Sequence, residues 1–139
     1  MNILSVRCDE CHRPRNGVLV GVDVVAVSAI EASLETFGER FTRRIFSPHE
    51  LSTANGSAQR LAARFAAKEA AIKAFDLAEA GVDWRHIELR TDAAGRPSLR
   101  FTGRALARVT ALGPIDISVS LSHEEDVAFA AVVALCTER

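Results

Sequence analysis

The stretch that most constrains the fold is RLAARFAAKEAAIKAF, residues 60–75, which is rich in alanine and contains neither glycine nor proline. Such a stretch predicts a long helix that begins after Ser57 and runs to about Ala80, where Gly81 ends it. At ~100° per residue, its four large apolar side chains fall within an arc of about 80°. These four are Leu61, Phe65, Ile72 and Phe75. The helix is therefore expected to bury this face.

Two charged residues lie in or beside that apolar arc. With Leu61 at zero on the helical wheel, Lys68 falls at about 340° and Glu69 at about 80°. One interpretation is that the Lys68 side chain extends its ammonium to solvent and that Glu69 lies at the wet edge of the helix. The other is that both charges belong to a functional site. The wheel alone does not distinguish the two.

Composition limits the classes of function. The chain has 139 residues, of which 48% are hydrophobic and 25% charged, and this predicts one globular domain. The net charge of -1 argues against a protein made mainly to bind nucleic acid. Basic side chains are concentrated in residues 39–73 and 85–108, which form either an anion-binding surface or ordinary solvated faces.

No segment approaches the ~18 apolar residues of a membrane span, so we expect no membrane association. The N-terminus has no secretory signal, and this predicts a cytoplasmic location with reduced cysteines.

Residues 1–17 are predicted to form a poorly ordered tail, and residues 18–139 a single domain. The tail contains Cys8, Cys11 and His12, a C-x-x-C-H pattern that fits covalent haem or, with Cys136, a zinc site. We favour the poorly ordered tail.

The first half of the chain predicts one strand followed by helices. Residues 17–27, GVLVGVDVVAV, form a nearly continuous apolar run that is typical of a strand buried on both faces. Ser28 and Glu31 then have the spacing of a capping box, and the helix that they begin ends at Gly38. A second capping box, SPHE at residues 47–50, begins a short helix that stops at Asn55.

The second half predicts mostly strands. HIELRT and SLRFTG flank a turn and indicate a hairpin. A short helix, GRALARVTALG, follows, and IDISVSLS then alternates apolar and polar residues with a period of two. VAFAAVVAL returns as the last strand. The predicted order is β-α-α-α-β-β-α-β-β, and the fold class is α+β with the long helix packed on a mostly antiparallel sheet.

Asp23 is a further misplaced charge, because a carboxylate in a strand of valines costs several kcal/mol unless a partner meets it. Lys73, four residues after Glu69, is placed for an ion pair, so one interpretation is a structural cluster in which the charges satisfy one another. Alternatively, carboxylates from a strand and a packed helix, with basic side chains for phosphate, match what Mg²⁺ requires. The common glycine-rich nucleotide motifs are absent from the sequence.

Several segments together resemble a known family: GVDVV, RFTRRIFSPHEL, LAARFAAKEAAIKAF, WRHIELRTDAAGRP and SVSLSHEEDVAFAAVV. In order and spacing they are similar to the holo-acyl-carrier-protein synthases, the small 4′-phosphopantetheinyl transferases. The resemblance covers about residues 18–135 and is most specific at the G-x-D strand and the F-x-x-K-E-x-x-x-K helix. It implies Mg²⁺-dependent transfer of the phosphopantetheine arm of coenzyme A to a serine of an acyl carrier protein. It also implies release of adenosine 3′,5′-bisphosphate, and a homotrimer with sites at the subunit interfaces.

The resemblance also implies roles for individual residues. Asp23 and Glu69 correspond to the metal ligands, and Glu69, Lys73 and His123 to the catalytic residues. The residues that correspond to coenzyme A contacts are Arg44, Arg64, Lys68, Lys73, Gly95, Arg96, Pro97 and His123. The serine of the carrier needs a base, and Glu69 and a metal-bound water are the two candidates.

The chain departs from the family at two positions. Ala26 and Ala29 occupy positions where the family usually has Glu and Arg, and that Arg belongs to the first helix, where the family docks its acidic carrier. We therefore expect either a non-standard carrier or docking through Arg40, Arg43 and Arg44. Two other functions stay open from the sequence: another Mg²⁺-dependent phosphotransferase, and a non-catalytic protein that binds coenzyme A or a carrier.

Overall fold

A computed structural model of the chain describes residues 17–137. The predicted tail and the C-x-x-C-H pattern of Cys8, Cys11 and His12 lie outside the described residues. Within residues 17–137, none of the helices is long and apolar enough to cross a membrane.

The chain alternates between helical and strand-rich parts, as the sequence predicts. The elements are β1 (Gly17–Ala26), α1 (Val27–Phe37), α2 (Glu39–Ile45), α3 (Pro48–Ala54), α4 (Ala58–Phe75), a 3₁₀ turn (Trp84–His86), β2 (Ile87–Thr91), β3 (Pro97–Phe101), α5 (Gly103–Thr110), β4 (Ile115–Glu124) and β5 (Val127–Cys136). The predicted α+β class is confirmed. The predicted order lacks one helix, α2, and the long helix α4 ends earlier than the predicted Ala80.

Two of the predicted helix starts are correct and one is wrong. Ser47 caps α3, its hydroxyl accepts from the Glu50 amide at 3.2 Å, and the Glu50 carboxylate accepts from the Ser47 amide at 2.9 Å. Ser57 caps α4 by accepting from the Arg60 amide. The predicted capping box at the start of α1 does not form, since the helix begins at Val27, with Ala26 rather than Ser28 as its N-cap. The Val27 amide instead donates to the Asp126 carbonyl in the turn between β4 and β5.

α4 ends at Phe75 because the next residue, Asp76, adopts a left-handed conformation with φ of 55°. This conformation lets the Asp76 and Leu77 amides both turn back to the Ile72 carbonyl, which closes the helix. The residues up to Gly81 therefore form a turn-rich connection rather than the last helical turn that the sequence predicted.

Three strands form an antiparallel sheet in the order β1-β5-β4, and β2 and β3 form a separate hairpin. α4 covers one face of the three-stranded sheet, and the side chains buried between them are mostly small. On α4 they include Ala62, Ala63, Ala66, Ala67, Ala70, Ala71 and Ala74. Because alanine side chains are short, the helix axis lies close to the sheet, and charged groups on the flank of α4 come near β1.

The opposite face of the sheet is apolar and exposed, and this corrects the prediction that β1 is buried on both faces. Alternate residues of β1 and β5 leave eight large apolar side chains between 40% and 66% exposed. These are Val18, Val20, Val22, Val24, Val127, Phe129, Val133 and Leu135. The register places β1 and β5 members opposite one another, for example Val20 and Val133, so they form one continuous surface. We call these eight residues the open face.

Candidate functional site

Gly21 brings α4 into direct contact with β1. A Cβ atom at Gly21 would lie 1.9 Å from the Ala70 carbonyl oxygen and 2.8 Å from the Ala74 amide nitrogen, so no larger residue fits. Glu69 and Lys73 precede Ala70 and Ala74 by one residue each, and Asp23 lies two residues after Gly21. The close contact therefore places the charged flank of α4 beside the carboxylate of β1.

The Lys73 ammonium meets Asp23 directly. Its Nζ lies 2.9 Å from Asp23 Oδ1 and donates a second hydrogen bond, of 3.0 Å, to the Val22 carbonyl. The Asp23 side chain is 16% exposed and the Lys73 side chain 40% exposed. This pair resolves part of the problem of a carboxylate in an apolar strand, since a cation and partial solvent access compensate its charge.

Glu69 completes a cluster of two carboxylates and one ammonium. Its half-burial raises the pKa of the Glu69 carboxyl, the negative charge of Asp23 raises it further, and Lys73 opposes both effects. A divalent cation is stabilising where the negative charge of one carboxylate raises the pKa of another, as Asp23 does for Glu69. The oxygen donors suit Mg²⁺, which takes one or two carboxylates and completes its octahedron with water and phosphate oxygens. Within the described residues, no group of three or more His, Cys, Asp or Glu side chains forms a metal site of the protein-enclosed kind.

Lys68 does not line this cluster, and its predicted contact with coenzyme A needs correction. The Lys68 side chain is fully buried on another side of α4 and pairs with the Glu50 carboxylate at 2.7 Å. Its Nζ also donates to the Trp84 carbonyl, at 3.0 Å, and to the Ile87 carbonyl. Burial lowers the pKa of Lys68, and the negative charge of Glu50 opposes this change. An ammonium that is saturated by three interior acceptors is not available to a substrate.

Glu50 is a site residue that the sequence did not reveal. Its carboxylate is fully buried and, besides Lys68, accepts from the Ser47 amide at 2.9 Å and from the Leu89 amide at 3.0 Å. The capping box already explains why a glutamate stands at position 50. The sequence therefore gives no reason to expect that its carboxylate also pairs with a distant lysine. Its contact with β2 depends on the tertiary fold, and the sequence contains no signal for it.

Arg64 is nearly buried rather than open to a nucleotide. The residue is 9% exposed, its Nη1 donates to the Arg60 carbonyl and its Nη2 to Thr53 Oγ1, each at 3.0 Å. The buried Nε has no partner within the described residues. Desolvation lowers the pKa of Arg64. Arg64 therefore ties α4 to α3.

Arg44 lies in a surface cleft between α2 and the 3₁₀ turn. The cleft is lined by Arg43, Arg44, Val82, Asp83, Trp84 and Arg85. Asp83 is paired within the cleft: Arg85 contacts it at 2.9 Å and lowers the pKa of the Asp83 carboxyl to about 2. The cleft is thus cationic, with an aromatic side chain in its wall.

The remaining predicted residues lie on other elements. Gly95, Arg96 and Pro97 form the tip of the β2–β3 hairpin, where Asp92 Oδ1 accepts from the Arg96 amide at 2.9 Å and Gly95 has φ of 80°. His123 is near the end of β4, exposed, opposite Ala128 of β5. Of the residues that the sequence predicted for the site, the structure places Asp23, Glu69 and Lys73 next to one another.

Comparisons with known proteins identify the family of the chain. The family model described as the 4′-phosphopantetheinyl transferase superfamily matches residues 19–132. The holo-[acyl-carrier-protein] synthase of Solidesulfovibrio magneticus is 47% identical over 116 residues, which cover 82% of this chain and 94% of that protein. The holo-[acyl-carrier-protein] synthase of Halorhodospira halophila is 46% identical over 118 residues, also covering 82% and 94%. The solved ACPS–CoA complex of Chronobacterium ammoniagenes has a TM-score of 0.77 and 31% identity, covering 88% of this chain and 99% of that one. The chain therefore belongs to the 4′-phosphopantetheinyl transferase superfamily and is an enzyme of its holo-[acyl-carrier-protein] synthase group.

Proposed function

We propose that the chain transfers the 4′-phosphopantetheine arm of coenzyme A to a serine of an apo acyl carrier protein, depends on Mg²⁺, and releases adenosine 3′,5′-bisphosphate. The observation that supports this best is the cluster of Asp23, Glu69 and Lys73 at the contact of β1 and α4. It combines two hard oxygen donors with one cation, as a site for a metal and a pyrophosphate requires.

In this reaction the serine oxygen attacks the β-phosphorus of coenzyme A, and the bond from that phosphorus to the oxygen of the bisphosphate breaks. Asp23 and Glu69 would hold Mg²⁺, which neutralises the charge of the pyrophosphate when bound. Lys73, whose side chain is 40% exposed, can turn its ammonium from Asp23 towards the leaving bisphosphate. Glu69 is a candidate acceptor for the serine proton, because a raised carboxyl pKa makes it a stronger base than a solvent-exposed glutamate.

The direct test incubates the protein with coenzyme A, Mg²⁺ and a panel of apo carriers, and measures the mass of each carrier. We expect one carrier or more to gain the phosphopantetheine arm, and omission of Mg²⁺ or addition of excess EDTA to stop the gain. A protein that modifies no carrier in the panel, although coenzyme A and Mg²⁺ are saturating, would contradict the proposal.

The homotrimer implied by the family is supported by the open face. Its eight apolar side chains are exposed and contiguous, and contiguous exposed apolar surfaces of soluble proteins often mark interaction sites. A second and third copy of the same chain are the proposed occupants, since each copy carries the same face. The predicted coenzyme contacts at the hairpin tip and at His123 lie on elements other than β1 and α4, in keeping with pockets completed by a neighbouring subunit.

Light scattering checks this proposal. We expect a particle of three times the chain mass of 15.0 kDa. Val133→Glu places a charge in the open face and should yield smaller particles, because a buried unpaired charge opposes association. Leu106→Glu is the matched control, since Leu106 is similarly exposed but lies on α5. A wild-type chain that remains monomeric at micromolar concentration would contradict the trimer.

Docking of the carrier is proposed to use α2 rather than α1. α1 contains Glu31 and Glu35 and no basic residue, so its exposed side repels an acidic partner. α2 presents Arg40, Arg43 and Arg44, and Arg43 is already paired with Glu39 at 3.1 Å. The two other arginines, one of which lines the cationic cleft, are therefore the main candidates for contacts with an acidic carrier.

Charge reversal on α2 is expected to weaken the carrier interaction. The double variant Arg40→Glu/Arg44→Glu should raise the KM for the carrier by about tenfold or more, because like charges then face each other. The single variant Arg40→Glu should raise the KM for the carrier and leave the KM for coenzyme A unchanged, since only Arg44 of this pair is also a predicted coenzyme contact. Arg108→Glu, on the exposed side of α5, is the matched control. Equal KM values for the carrier in the α2 variant and the wild type would exclude this docking surface.

A further inference from the structure

The chain contains only two lysines, Lys68 and Lys73, against fifteen arginines, and both lysines lie on α4. They have different surroundings. Lys73 lies at the surface beside Asp23, whereas Lys68 is fully buried against Glu50. The proposed reaction uses Lys73 and leaves the buried pair without a role.

The acceptors around Lys68 fit the hydrogen bonds of an ammonium and do not fit those of a guanidinium. Its Nζ donates to Glu50 Oε1 and to the carbonyls of Trp84 and Ile87, so three acceptors meet the three N–H bonds of one nitrogen. The Phe46 ring lies with its centroid 5.9 Å from the same atom and closes one side. The planar guanidinium of arginine cannot direct its donors to three acceptors around one point.

The pair joins α4 to the elements around it. Glu50 belongs to α3 and also accepts from the Leu89 amide of β2. The Trp84 carbonyl belongs to the 3₁₀ turn, and the Trp84 ring stacks on Phe65 of α4 with centroids 5.2 Å apart. The ammonium thus links α4 to three other elements at the position that directly precedes Glu69.

The sheet-facing side of α4 contributes few interlocking side chains, so the rotation of the helix depends on the close approach at Gly21, the Arg64 bonds to α3 and the Lys68–Glu50 pair. Its buried side chains are mostly alanines, which interlock weakly because they have no atoms beyond Cβ. A rotation of α4 by a few tens of degrees would carry Glu69 and Lys73 away from Asp23. A buried polar pair, which has favourable partners in one arrangement only, can select one orientation where apolar packing does not.

We infer that Lys68 and Glu50 are positioning residues for the transfer reaction, and that they aim Glu69 and Lys73 at Asp23 without contacting coenzyme A. The inference rests on the proposed function, and it reassigns Lys68 from a coenzyme contact to a support of the catalytic helix. The ammonium of Lys68 is fully buried and its hydrogen bonds go to Glu50 and to the Trp84 and Ile87 carbonyls, which distinguishes the two roles.

Amine labelling of the wild-type protein tests the placement without any substitution. Acetylation of the native protein followed by mass spectrometry should modify Lys73 at least 100-fold faster than Lys68. Coenzyme A with Mg²⁺ should protect Lys73 and leave the slow rate at Lys68 unchanged. Labelling of Lys68 at a rate like that of Lys73, with protection by coenzyme A, would overturn the inference.

The double variant Glu50→Gln/Lys68→Met tests the positioning role, since it removes both charges and roughly keeps side-chain length. We expect kcat to fall at least tenfold and the KM for coenzyme A to stay within about twofold of the wild-type value, because the lost element orients the helix. The fluorescence of Trp84, the sole tryptophan, should shift because its carbonyl loses the Lys68 donor. Val109→Ala, a buried change on α5, controls for general loss of stability.

The labelling and the double variant together decide whether Lys68 and Glu50 position the helix. A folded double variant with unchanged kcat, or with a raised KM for coenzyme A and unchanged kcat, overturns the positioning role. If the double variant does not fold, the labelling rates of Lys68 and Lys73 in the wild type decide between a positioning residue and a coenzyme contact. If the wild type modifies no carrier, the proposed function fails, while the labelling and Trp84 fluorescence still report whether the buried pair exists.

Discussion

Glu69→Gln is expected to lower the rate of phosphopantetheine transfer by about 10²–10⁴-fold or more, and to make the metal-free protein more stable. The loss of activity follows because an amide carries no charge to hold Mg²⁺ and cannot accept a proton. The gain in stability follows because Glu69 is an ionised group that desolvation and Asp23 both disfavour. Carrier mass measurements give the rate, and thermal unfolding with and without Mg²⁺ gives the stability.

The sign of the pH dependence follows from the raised pKa of Glu69. Since the folded protein binds this proton more tightly than the unfolded chain, ionised Glu69 lowers the free energy of unfolding as pH rises through the interval between the two pKa values. The stability difference between the variant and the wild type should therefore be largest near neutral pH and vanish below the unfolded pKa. Transfer should also fall at low pH, since protonated Glu69 neither holds Mg²⁺ nor accepts the serine proton, and higher Mg²⁺ concentrations should move this fall to lower pH.

Two controls distinguish a catalytic role of Glu69 from a purely structural role. Glu79→Gln makes the same chemical change at an exposed position after α4 and should leave both rate and stability unchanged. Mg²⁺ should stabilise the wild type more than the Glu69 variant. A variant that unfolds, or that transfers at the wild-type rate, would show that Glu69 belongs to a structural ion-pair cluster instead.

Gly21→Ala has the largest expected effect on the fold. The added methyl would lie 1.9 Å from the Ala70 carbonyl oxygen, and neither backbone can move without separating β1 from α4. Overpacking of this kind costs about 3 kcal/mol or more of the free energy of unfolding. Urea denaturation measures the loss, and transfer by any folded fraction should also fall because Asp23 moves away from Glu69.

Gly56→Ala is the control for the loss of a glycine as such. A Cβ at Gly56 would meet nothing within 4 Å, although its φ of 74° is unfavourable for alanine. That conformation costs about 1–2 kcal/mol, so the control should be destabilised less than the Gly21 variant. Equal effects of the two substitutions would mean that α4 does not approach β1 closely.

The fold was largely predictable from the sequence where local patterns decide structure. The alanine-rich helix, the Ser47–Glu50 capping box and the alternation of β4 follow from neighbouring residues, and the structure confirms them. The start of α1 was not predictable, since the Asp126 carbonyl that meets the Val27 amide comes from the far end of the chain. The open face of β1 was missed because a valine run has the same pattern whether one face or both faces are covered.

Sequence reasoning predicted which charged side chains would meet where a charge had no local explanation. Asp23 among valines and Glu69 beside an apolar stripe each needed a partner, and the structure places the two within electrostatic reach. It failed for Lys68 and Glu50. The helical wheel gives the direction of Lys68 but not what lies there, and the capping box already explained Glu50.

The alanine face of α4 limits how enzymes of this kind can vary. Each of its seven buried alanines touches other backbone or side-chain atoms, so valine or leucine would push the helix off the sheet, and glycine would weaken the helix. Substitution on α4 is therefore confined to the few positions on its outer side. Under the proposed docking through α2, carrier preference can change on that helix residue by residue while α4 with Glu69 stays fixed.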